Sequence, residues 1–566
     1  MFVRIWGAEI VGIEGTLIEV EVNLSPGLPM VSVVGLPDSA VRESVERVRA
    51  AILNAGKTFP LERITVNLAP ADVRKEGTAF DLAIAAGILC ASGQWNAAAL
   101  RGTLLIGELS LNGEIRPVPG VLPMVEAARA AGLTKVVVPR FNAAEASLVE
   151  GVQVFALDSL TAWDEGGPQI FRSDGPTGSV SPDPDPQADT LDLADVRGQH
   201  HGKRALIVAA AGMHNILFVG PPGTGKTMLC RRLPTLMPPL DDEEALTVTK
   251  IYSASGKLNM PRSGLIRGRP FRAPHHTISA AGLIGGGSVP KPGEVTLAHH
   301  GVLFLDELPE FPRTVLETLR QPLEDREVTI GRARTVCRFP AHFLLAATMN
   351  PCPCGRYGGD YPPGQACSCP ESAILRYRSR VSGPFLDRID LQVELPQQKG
   401  PSGSEDDRSR RITSAEARQL VAEAYEIQRE RYKGTGIRWN SELAGRMLER
   451  YAVLSPGAKR LLLDIFTRQP HILVKIKTSD ASAVEFAIIR CSGQVFVHPR
   501  WRVSRSKPQD NLFFLSSQLD DFPLHNISRC PAHMLKIIGY DHSDRHDLAP
   551  FSINIPVSCF IPERFV

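Results

Sequence analysis

Apolar and polar residues alternate in short runs over the first third of the chain, and segments with helical spacing lie between these runs. Strands are predicted where Val, Ile and Leu concentrate between turn-forming residues, at 17–24, 30–34, 64–68, 104–106 and 135–138. Apolar residues recur at spacings of three and four over 39–54, which predicts a helix capped by Asp38. A second helix is predicted over 123–131. Alternating strands and helices of this kind indicate an α/β domain.

The middle of the chain predicts strands that end in loops carrying polar groups. A helix is predicted over 199–213, and a short buried strand over 215–219 runs into a glycine-rich loop and a helix over 227–233. Two further apolar strands, over 301–305 and 341–348, end at carboxylate or amide side chains. We therefore expect a second α/β block with a parallel sheet.

Two stretches rich in Gly, Pro, Ser and charged residues, 166–189 and 399–411, predict linkers, because they cannot bury much apolar surface. The expected division is an N-terminal α/β domain, a linker, a central α/β domain, a partial helical lid that opens with a helix over 413–432, and an atypical tail. The corresponding boundaries are 1–165, 166–192, 193–398, 412–463 and 464–566.

Composition narrows the class of protein. Basic and acidic residues nearly balance, 63 against 61, which excludes a uniformly basic nucleic-acid coat, so that any nucleic-acid surface must be local. No apolar run reaches the roughly 18–20 residues of a spanning helix, and the N-terminal segment lacks the order of a signal peptide. Ten cysteines over 566 residues indicate reduced thiols rather than a disulfide framework. We therefore expect a cytoplasmic protein that does not bind membranes.

The glycine-rich loop fits the phosphate-loop pattern G-x-x-x-x-G-K-[ST] at every fixed position. Such a loop turns successive N–H groups towards phosphate oxygens, and the helix N-terminus adds partial positive charge there. Lys226 is predicted to neutralise the β- and γ-phosphates of ATP, and the Thr227 hydroxyl to ligate Mg²⁺. The alternative is an ordinary turn before a helix. The residues expected to bind nucleotide are Gly220, Pro221, Pro222, Gly223, Thr224, Gly225, Lys226 and Thr227.

The two later strands end in groups suited to ATP hydrolysis. Asp306 is predicted to hold the Mg²⁺ water shell and Glu307 to polarise the attacking water, because a parallel strand presents its ligand-facing residues at its carboxyl end. Asn350 is expected to contact the γ-phosphate. Arg388, with Arg380 as the second candidate, is predicted to reach the phosphates bound by a neighbouring subunit and to stabilise the transferred charge.

Over residues 1 to about 463 the chain resembles AAA+ ATPases of the magnesium-chelatase type, and more closely the ComM/YifB family of bacterial competence-related proteins. The stretches that carry the resemblance are DVRGQ at 195–199, VGPPGTGKT at 219–227, FRAPHH at 271–276, GVLFLDE at 301–307, MNPCPCG at 349–355 and SGPFLDRID at 382–390.

This resemblance implies a homo-oligomeric ring, commonly a hexamer, that hydrolyses ATP with Mg²⁺ and moves on single-stranded or branched DNA. It further implies a helicase that drives branch migration while incoming DNA recombines into the chromosome. Two other functions stay open: the ATPase motor of a metal-chelatase complex, and a nucleotide-binding scaffold that does not hydrolyse ATP.

Two insertions are candidates for DNA contact. One spans 269–292, with three consecutive glycines at a predicted tip, and the other is a predicted hairpin over 327–339 whose turn carries Arg332 and Arg334. In a ring, such loops from every subunit would line one channel and concentrate positive charge against phosphates. The alternative is a surface hairpin with solvated arginines.

Four of the ten cysteines cluster as two C-x-C pairs with twelve residues between them. Their thiolates could close a tetrahedral structural Zn²⁺ site, and free thiols or an oxidation-prone loop are the alternative. The candidate zinc ligands are Cys352, Cys354, Cys367 and Cys369.

The N-terminal block resembles the Lon proteolytic domain, which implies a ribosomal-S5-like α/β fold. The Lon active site needs a serine nucleophile and a lysine base. In the corresponding stretches here, Ala79 stands where the serine would be and Leu122 where the lysine would be. We therefore expect no peptidase activity, and a domain that binds DNA or a partner, or stiffens the ring.

The resemblance ends near Leu463. Relatives continue with lid helices that bear Ser-Ala-Arg and then Ala-Arg-Thr-Ile-Ala-Asp, and neither run is present here. We expect a truncated lid and an atypical tail, either frame-shifted or an unrelated small domain. A replaced lid would impair coupled hydrolysis while nucleotide binding survives.

Overall fold

The computed structural model of the protein describes residues 1–71, 74–164, 169–171, 191–258, 264–287, 290–331, 336–359, 361–362, 365–397, 411–453 and 460, and five strands between 472 and 556. Arg332 and Arg334, most of the two predicted linkers and most of the predicted lid after residue 453 lie outside the described residues.

The strands are β1 (Phe2–Val11), β2 (Glu14–Ser25), β3 (Met30–Val34), β4 (Arg63–Ala69), β5 (Thr103–Leu105), β6 (Glu108–Leu109), β7 (Ile115–Arg116), β8 (Lys135–Pro139), β9 (Gln153–Leu157), β10 (Gln169–Ile170), β11 (Ile216–Val219), β12 (Phe271–Arg272), β13 (Gly285–Gly286), β14 (Lys291–Pro292), β15 (Val302–Leu305), β16 (Glu327–Gly331), β17 (Val336–Pro340), β18 (Leu344–Met349), β19 (Leu391–Glu394), β20 (Ile472–Lys477), β21 (Phe486–Cys491), β22 (Gln494–His498), β23 (Met534–Gly539) and β24 (Phe551–Pro556).

The α-helices are α1 (Ser39–Asn54), α2 (Asp81–Ala91), α3 (Val121–Ala130), α4 (Ala143–Ala146), α5 (Leu160–Asp164), α6 (His200–Gly212), α7 (Lys226–Leu236), α8 (Asp242–Ala254), α9 (Ala280–Ile284), α10 (Glu294–Leu297), α11 (Arg313–Thr318), α12 (Arg320–Asp325), α13 (Glu371–Arg378), α14 (Gly383–Leu386), α15 (Ser414–Arg431) and α16 (Gly445–Tyr451). Each strand and helix whose limits were predicted above is present, with ends that differ by no more than three residues. The prediction of a mixed α/β protein is confirmed.

The chain divides into two compact units. The first holds the described residues of Met1–Asp185, Pro239–Leu303 and Glu317–Phe343, and the second those of Pro186–Pro238, Phe304–Leu316 and Leu344–Val566. The functional domain boundaries predicted from the sequence stay a prediction.

The first unit is built on an eight-stranded mixed sheet with strand order β10-β9-β8-β5-β1-β2-β4-β3. In β2 the alternate residues Ile18, Val20, Val22 and Leu24 are buried while the residues between them face outward, as a half-buried strand requires. The Asp38 side chain accepts a hydrogen bond from the Val41 N–H and caps α1, as predicted. Two clusters of buried apolar residues, drawn from the stretch between Val3 and Leu160, pack on this sheet.

β1 and α2 are among the elements of this unit that the sequence pattern did not predict. β1, at the centre of the sheet, pairs antiparallel with β2 over its whole length. α2 is buried at every residue, so its sequence carries no polar face and no helical period. Ala79 and Leu122, which stand in the stretches that resemble the Lon serine and lysine segments, are both buried in one apolar cluster.

The rest of the first unit packs beside this sheet. Asp241 and Glu244 form a capping box at the start of α8, and Lys250 on that helix binds Glu14 at 2.6 Å and Glu126 at 3.0 Å. β12 pairs in parallel with the first half of β15, and β16 and β17 form the predicted antiparallel hairpin.

The second unit centres on parallel strands, with β11 lying between β18 and β19. The register pairs Val219 with Met349 and with Glu394, so the three strands end at one level. Helices α6, α7 and α15 pack together, and the Gln428 side chain donates to the Ala211 carbonyl at 2.8 Å. The loops that follow β11 and β18 therefore start side by side.

Beyond residue 453 the described backbone includes two antiparallel sheets, β20-β21-β22 and β23-β24. Within the described residues, none of the helices combines the length and apolarity needed to cross a bilayer.

Candidate nucleotide-binding site

The predicted phosphate loop joins β11 to α7, the strand-loop-helix context that its sequence indicated. Gly223 and Gly225 have φ values of +79° and +86°, a backbone conformation that disfavours residues with a Cβ. A Cβ on Gly220 would lie 2.5 Å from the Leu395 carbonyl oxygen. Three of the loop's glycines are thus required by conformation or by close packing.

Lys226 opens α7 and its ammonium group lies inside the loop. It donates to the carbonyls of Gly220 and Pro221 at 2.7 and 2.8 Å and to the Asn350 side-chain oxygen at 3.2 Å. Burial lowers the pKa of Lys226, and the two carboxylates that follow β15 oppose this shift. The arrangement brings together the predicted phosphate-binding lysine and the amide at the end of β18.

Thr227 and the acidic pair also converge. The Thr227 hydroxyl donates to an Asp306 carboxylate oxygen at 3.1 Å. Thr348 donates to the same carboxylate and accepts from the Glu307 N–H at 3.2 Å. Glu307 has a φ of +53°, which is rare for a residue with a side chain and is typical of functional turns.

This oxygen set suits a magnesium ion. Mg²⁺ prefers a few hard oxygen donors and keeps several of its waters. A hydroxyl and a carboxylate 3.1 Å apart, beside a phosphate-type loop, are donors of that kind. Thr227 and Asp306 would hold the ion, as predicted from the sequence.

Thr348 and Tyr377 were not singled out in the sequence. Thr348 is the penultimate residue of β18, a strand that is buried at every residue, and only the tertiary structure shows that its hydroxyl meets Asp306. Tyr377 on α13 hydrogen-bonds the backbone of Asn350, and burial raises the pKa of its phenol to about 12. The one indication in the sequence that Thr348 belongs to the site was its position, as a polar residue in an apolar run two residues before Asn350.

The two candidate arginines lie elsewhere. The Arg388 guanidinium donates to the Pro384 carbonyl, and the Arg388 carbonyl accepts from the Asn215 amide at 2.9 Å. Arg380 binds Glu310 at 3.1 Å. These contacts involve groups other than Lys226, Thr227, Asp306 and Asn350.

The four clustered cysteines lie close together in the loop after Asn350. Sγ–Sγ distances are 3.3 Å for Cys352–Cys354, 3.7 Å for Cys352–Cys367 and 3.5 Å for Cys354–Cys367. With Cys369 included, all four sulfur atoms lie within 4.8 Å of one another. A tetrahedral Zn²⁺ with bonds of about 2.3 Å spaces its sulfur ligands about 3.8 Å apart. The donors therefore fit zinc in kind and in spacing.

A glycine loop between a parallel strand and a helix, with a lysine, a threonine and a strand-end aspartate gathered around it, defines a P-loop nucleotide-binding protein. Comparisons with known proteins specify the class further. A family model described as "Magnesium chelatase, subunit ChlI" matches residues 192–402, and one described as "Subunit ChlI of Mg-chelatase" matches residues 20–142.

Two curated relatives match most of the chain. "Competence protein ComM" of Haemophilus influenzae is 46% identical over 431 residues, which is 74% of this chain and 81% of the relative. "Uncharacterized protein YifB" of Salmonella typhimurium is 42% identical over 456 residues, 80% of this chain and 86% of the relative. The chain therefore belongs to the ComM/YifB family of magnesium-chelatase-like AAA+ proteins.

A weaker match involves a Lon protease. "Lon protease 2" of Bacillus subtilis is 27% identical over 164 residues, 26% of this chain and 29% of that protein. This weak similarity fits the mixed α/β fold.

Proposed function

We propose that this protein is a ring-forming, ATP-driven DNA motor that promotes branch migration while incoming DNA recombines in natural transformation. The observation that carries the proposal is the convergence of Lys226, Thr227, Asp306 and Asn350 at one edge of a parallel sheet. The DNA substrate and the ring rest on the family resemblance and on the similarity to "Competence protein ComM".

In this proposal each side chain has one task in ATP hydrolysis. Lys226 neutralises the β- and γ-phosphates, and Asn350, already bonded to Lys226, contacts the γ-phosphate. Bound Mg²⁺, held by Thr227 and Asp306, would offset phosphate charge. Glu307 orients the attacking water, its backbone held by the bond to Thr348.

Turnover of the full-length chain tests the proposal. We expect ATP hydrolysis that forked or four-way DNA stimulates. Lys226→Ala should abolish nucleotide binding, whereas Glu307→Gln should keep binding and lose hydrolysis by about a hundredfold or more. Lys433→Ala, at an exposed lysine of the same unit, is the matched control and should behave as wild type.

The same assays separate the two alternatives. Nucleotide binding without turnover would support a scaffold protein, and turnover that depends on a porphyrin would support the motor of a metal-chelatase complex. Either result would contradict a DNA motor.

We also propose a structural zinc ion in the four-cysteine loop. Metal analysis of the purified chain tests this, with one zinc per chain expected.

We propose further that the atypical tail weakens lid closure and so lowers coupled hydrolysis without abolishing it. Translation of the nucleotide sequence across Leu463 in all three frames tests whether the tail is frame-shifted, since the missing lid helices would then appear in another frame.

A further inference from the structure

The four-cysteine loop starts and finishes against the nucleotide site. Cys352 follows Asn350 by two residues, and Cys369 precedes the first residue of α13 by two. α13 then returns to the same place, because Tyr377 bonds the Asn350 backbone and the Arg378 guanidinium donates to the Pro351 carbonyl at 3.1 Å. The four-cysteine loop thus connects Asn350 to the helix that packs beside it.

The loop also touches the phosphate loop directly. Gly355 has a φ of +79°, and a Cβ added there would lie 2.6 Å from the Pro222 Cδ atom and 3.9 Å from the Asn350 side-chain carbon Cγ. The Gly355 N–H donates to the Cys352 carbonyl at 2.9 Å. The turn that contains the first C-x-C pair therefore places its backbone against Pro222. The backbone next to the thiol cluster therefore lies in direct contact with the phosphate loop.

Further contacts connect the described residues at the start of this loop with one another and with α13. The Cys352 thiol accepts from the Tyr357 N–H at 3.4 Å, and the Arg378 guanidinium lies 5.3 Å from the Tyr357 ring centroid. If the four thiolates bound one metal ion, the motion of the loop, of Asn350 and of the phosphate loop near Pro222 would all be restricted together.

We propose that a tetrathiolate-bound divalent ion of the zinc type acts as an allosteric clamp, which positions Asn350 and Pro222 so that metal occupancy sets nucleotide affinity and turnover. This inference rests on the proposed nucleotide site. It goes beyond a structural staple, because a staple remote from the site would leave nucleotide binding unchanged.

The clamp can be tested by binding alone, by measuring the effect of zinc on nucleotide affinity and the effect of nucleotide on zinc affinity. Two sites that are coupled must alter each other's affinity by the same factor. We expect zinc-loaded full-length protein to bind a non-hydrolysable ATP analogue with Mg²⁺ about tenfold more tightly than zinc-free protein, and the analogue to raise zinc affinity by the same factor. Zinc is removed with a zinc-selective chelator and the chelator is dialysed away, so that Mg²⁺ is unaffected.

A pair of glycine variants tests the contact itself. Gly355→Ala places a methyl group against Pro222, whereas Gly358→Ala has the same kind of backbone, φ +77°, with nothing within 4 Å of the added Cβ. Both variants should bind one zinc ion per chain. Gly355→Ala should lower analogue affinity or turnover by about tenfold, since small misplacements in a reactive site are costly, while Gly358→Ala should change them by less than about twofold.

The possible results separate the clamp from the proposed function. Equal nucleotide affinity with and without zinc, absence of zinc binding, or equal behaviour of the two alanine variants would each overturn the clamp alone. Loss of nucleotide binding in every form would overturn the proposed function, and the clamp with it. Binding that responds to zinc in a chain without turnover would support the clamp and contradict the motor.

Discussion

At the scale of single residues, Thr348 joins the ends of two strands in the candidate site. Its hydroxyl donates to Asp306 and accepts from the Glu307 backbone, so it orients both the proposed metal ligand and the proposed water-activating group. Residues that orient a metal ligand in this way affect metal affinity although they do not touch the ion.

We predict that Thr348→Val, which keeps the side-chain shape, raises the Mg²⁺ concentration needed for half-maximal ATP turnover by about tenfold. Titration of Mg²⁺ at saturating ATP measures this. Thr296→Val is the control, because Thr296 is buried and its hydroxyl has no hydrogen-bond partner among the described residues. An unchanged magnesium requirement in Thr348→Val would remove Thr348 from the site.

Glu9 is a second informative residue, in the first unit. It is buried, and one carboxylate oxygen accepts from the Glu76 N–H at 3.3 Å while the other has no hydrogen-bond partner among the described residues. Burial raises the pKa of Glu9 from 4.5 to about 7, and the bond from Glu76 and the charge of Lys75 oppose this shift.

Because the folded-state pKa is raised, the native protein keeps a proton that the unfolded chain releases between pH 4.5 and about 7, and stability falls as pH rises through this window. We predict that Glu9→Gln raises the thermal midpoint at pH 8, with at most about 3 kcal/mol of stability gained. The gain should shrink at pH 5. Calorimetry of both proteins at pH 5 and pH 8 checks this, and Glu62→Gln, at an exposed glutamate, is the control. A stability gain of equal size at the two pH values would show that ionisation of Glu9 is not the cause.

At the scale of elements, α8 is held by a buried ion pair. Arg269 and Glu244 lie 3.1 Å apart with side chains that are each 1% exposed, and Glu244 also belongs to the capping box of α8. Such a pair is costly to break on one side, because the remaining charge stays buried.

We predict that Arg269→Met destabilises the protein by about 3–5 kcal/mol. The matched control is Arg267→Met, whose partner Asp242 is exposed, and which should cost less than about 1 kcal/mol. Urea unfolding followed by tryptophan fluorescence measures both. The double variant Arg269→Met with Glu244→Gln should recover part of the loss, and a double variant no better than the single one would argue against the ion pair as the cause.

Elements also show where pattern reading succeeds and where it fails. α1 was predicted with its ends and its cap, because one face is apolar and Asp38 stands at its start. α2 was not, because a helix buried on all sides has no polar stripe to mark its period. The periodic signal measures contact with water, so it disappears where an element is enclosed.

At the scale of the whole molecule, the position of Arg388 bears on the proposed ring. Within the chain its guanidinium donates to the Pro384 carbonyl. In the proposed ring, Arg388 would act on the nucleotide of a neighbouring subunit, as the family resemblance implies.

We predict that Arg388→Ala and Lys226→Ala are each inactive, and that mixing equal amounts before assembly restores up to about one quarter of wild-type turnover. In a random ring, one quarter of the interfaces pair an intact phosphate loop with an intact neighbouring Arg388. ATP turnover of mixed and separate variants measures this. No recovery, in mixtures shown to co-assemble, would place Arg388 within its own subunit's site or outside catalysis.

The sequence by itself determined the phosphate loop, the acidic strand end and those strands and helices that have one face in water, because each depends on residues that are neighbours along the chain. It also determined the family, through motifs at fixed positions. Only the tertiary structure decided that Thr348 holds Asp306 and that Gly355 lies against Pro222. Those contacts join residues more than forty positions apart, and chain-local patterns of polarity carry no information about which distant atoms meet when parallel strands align.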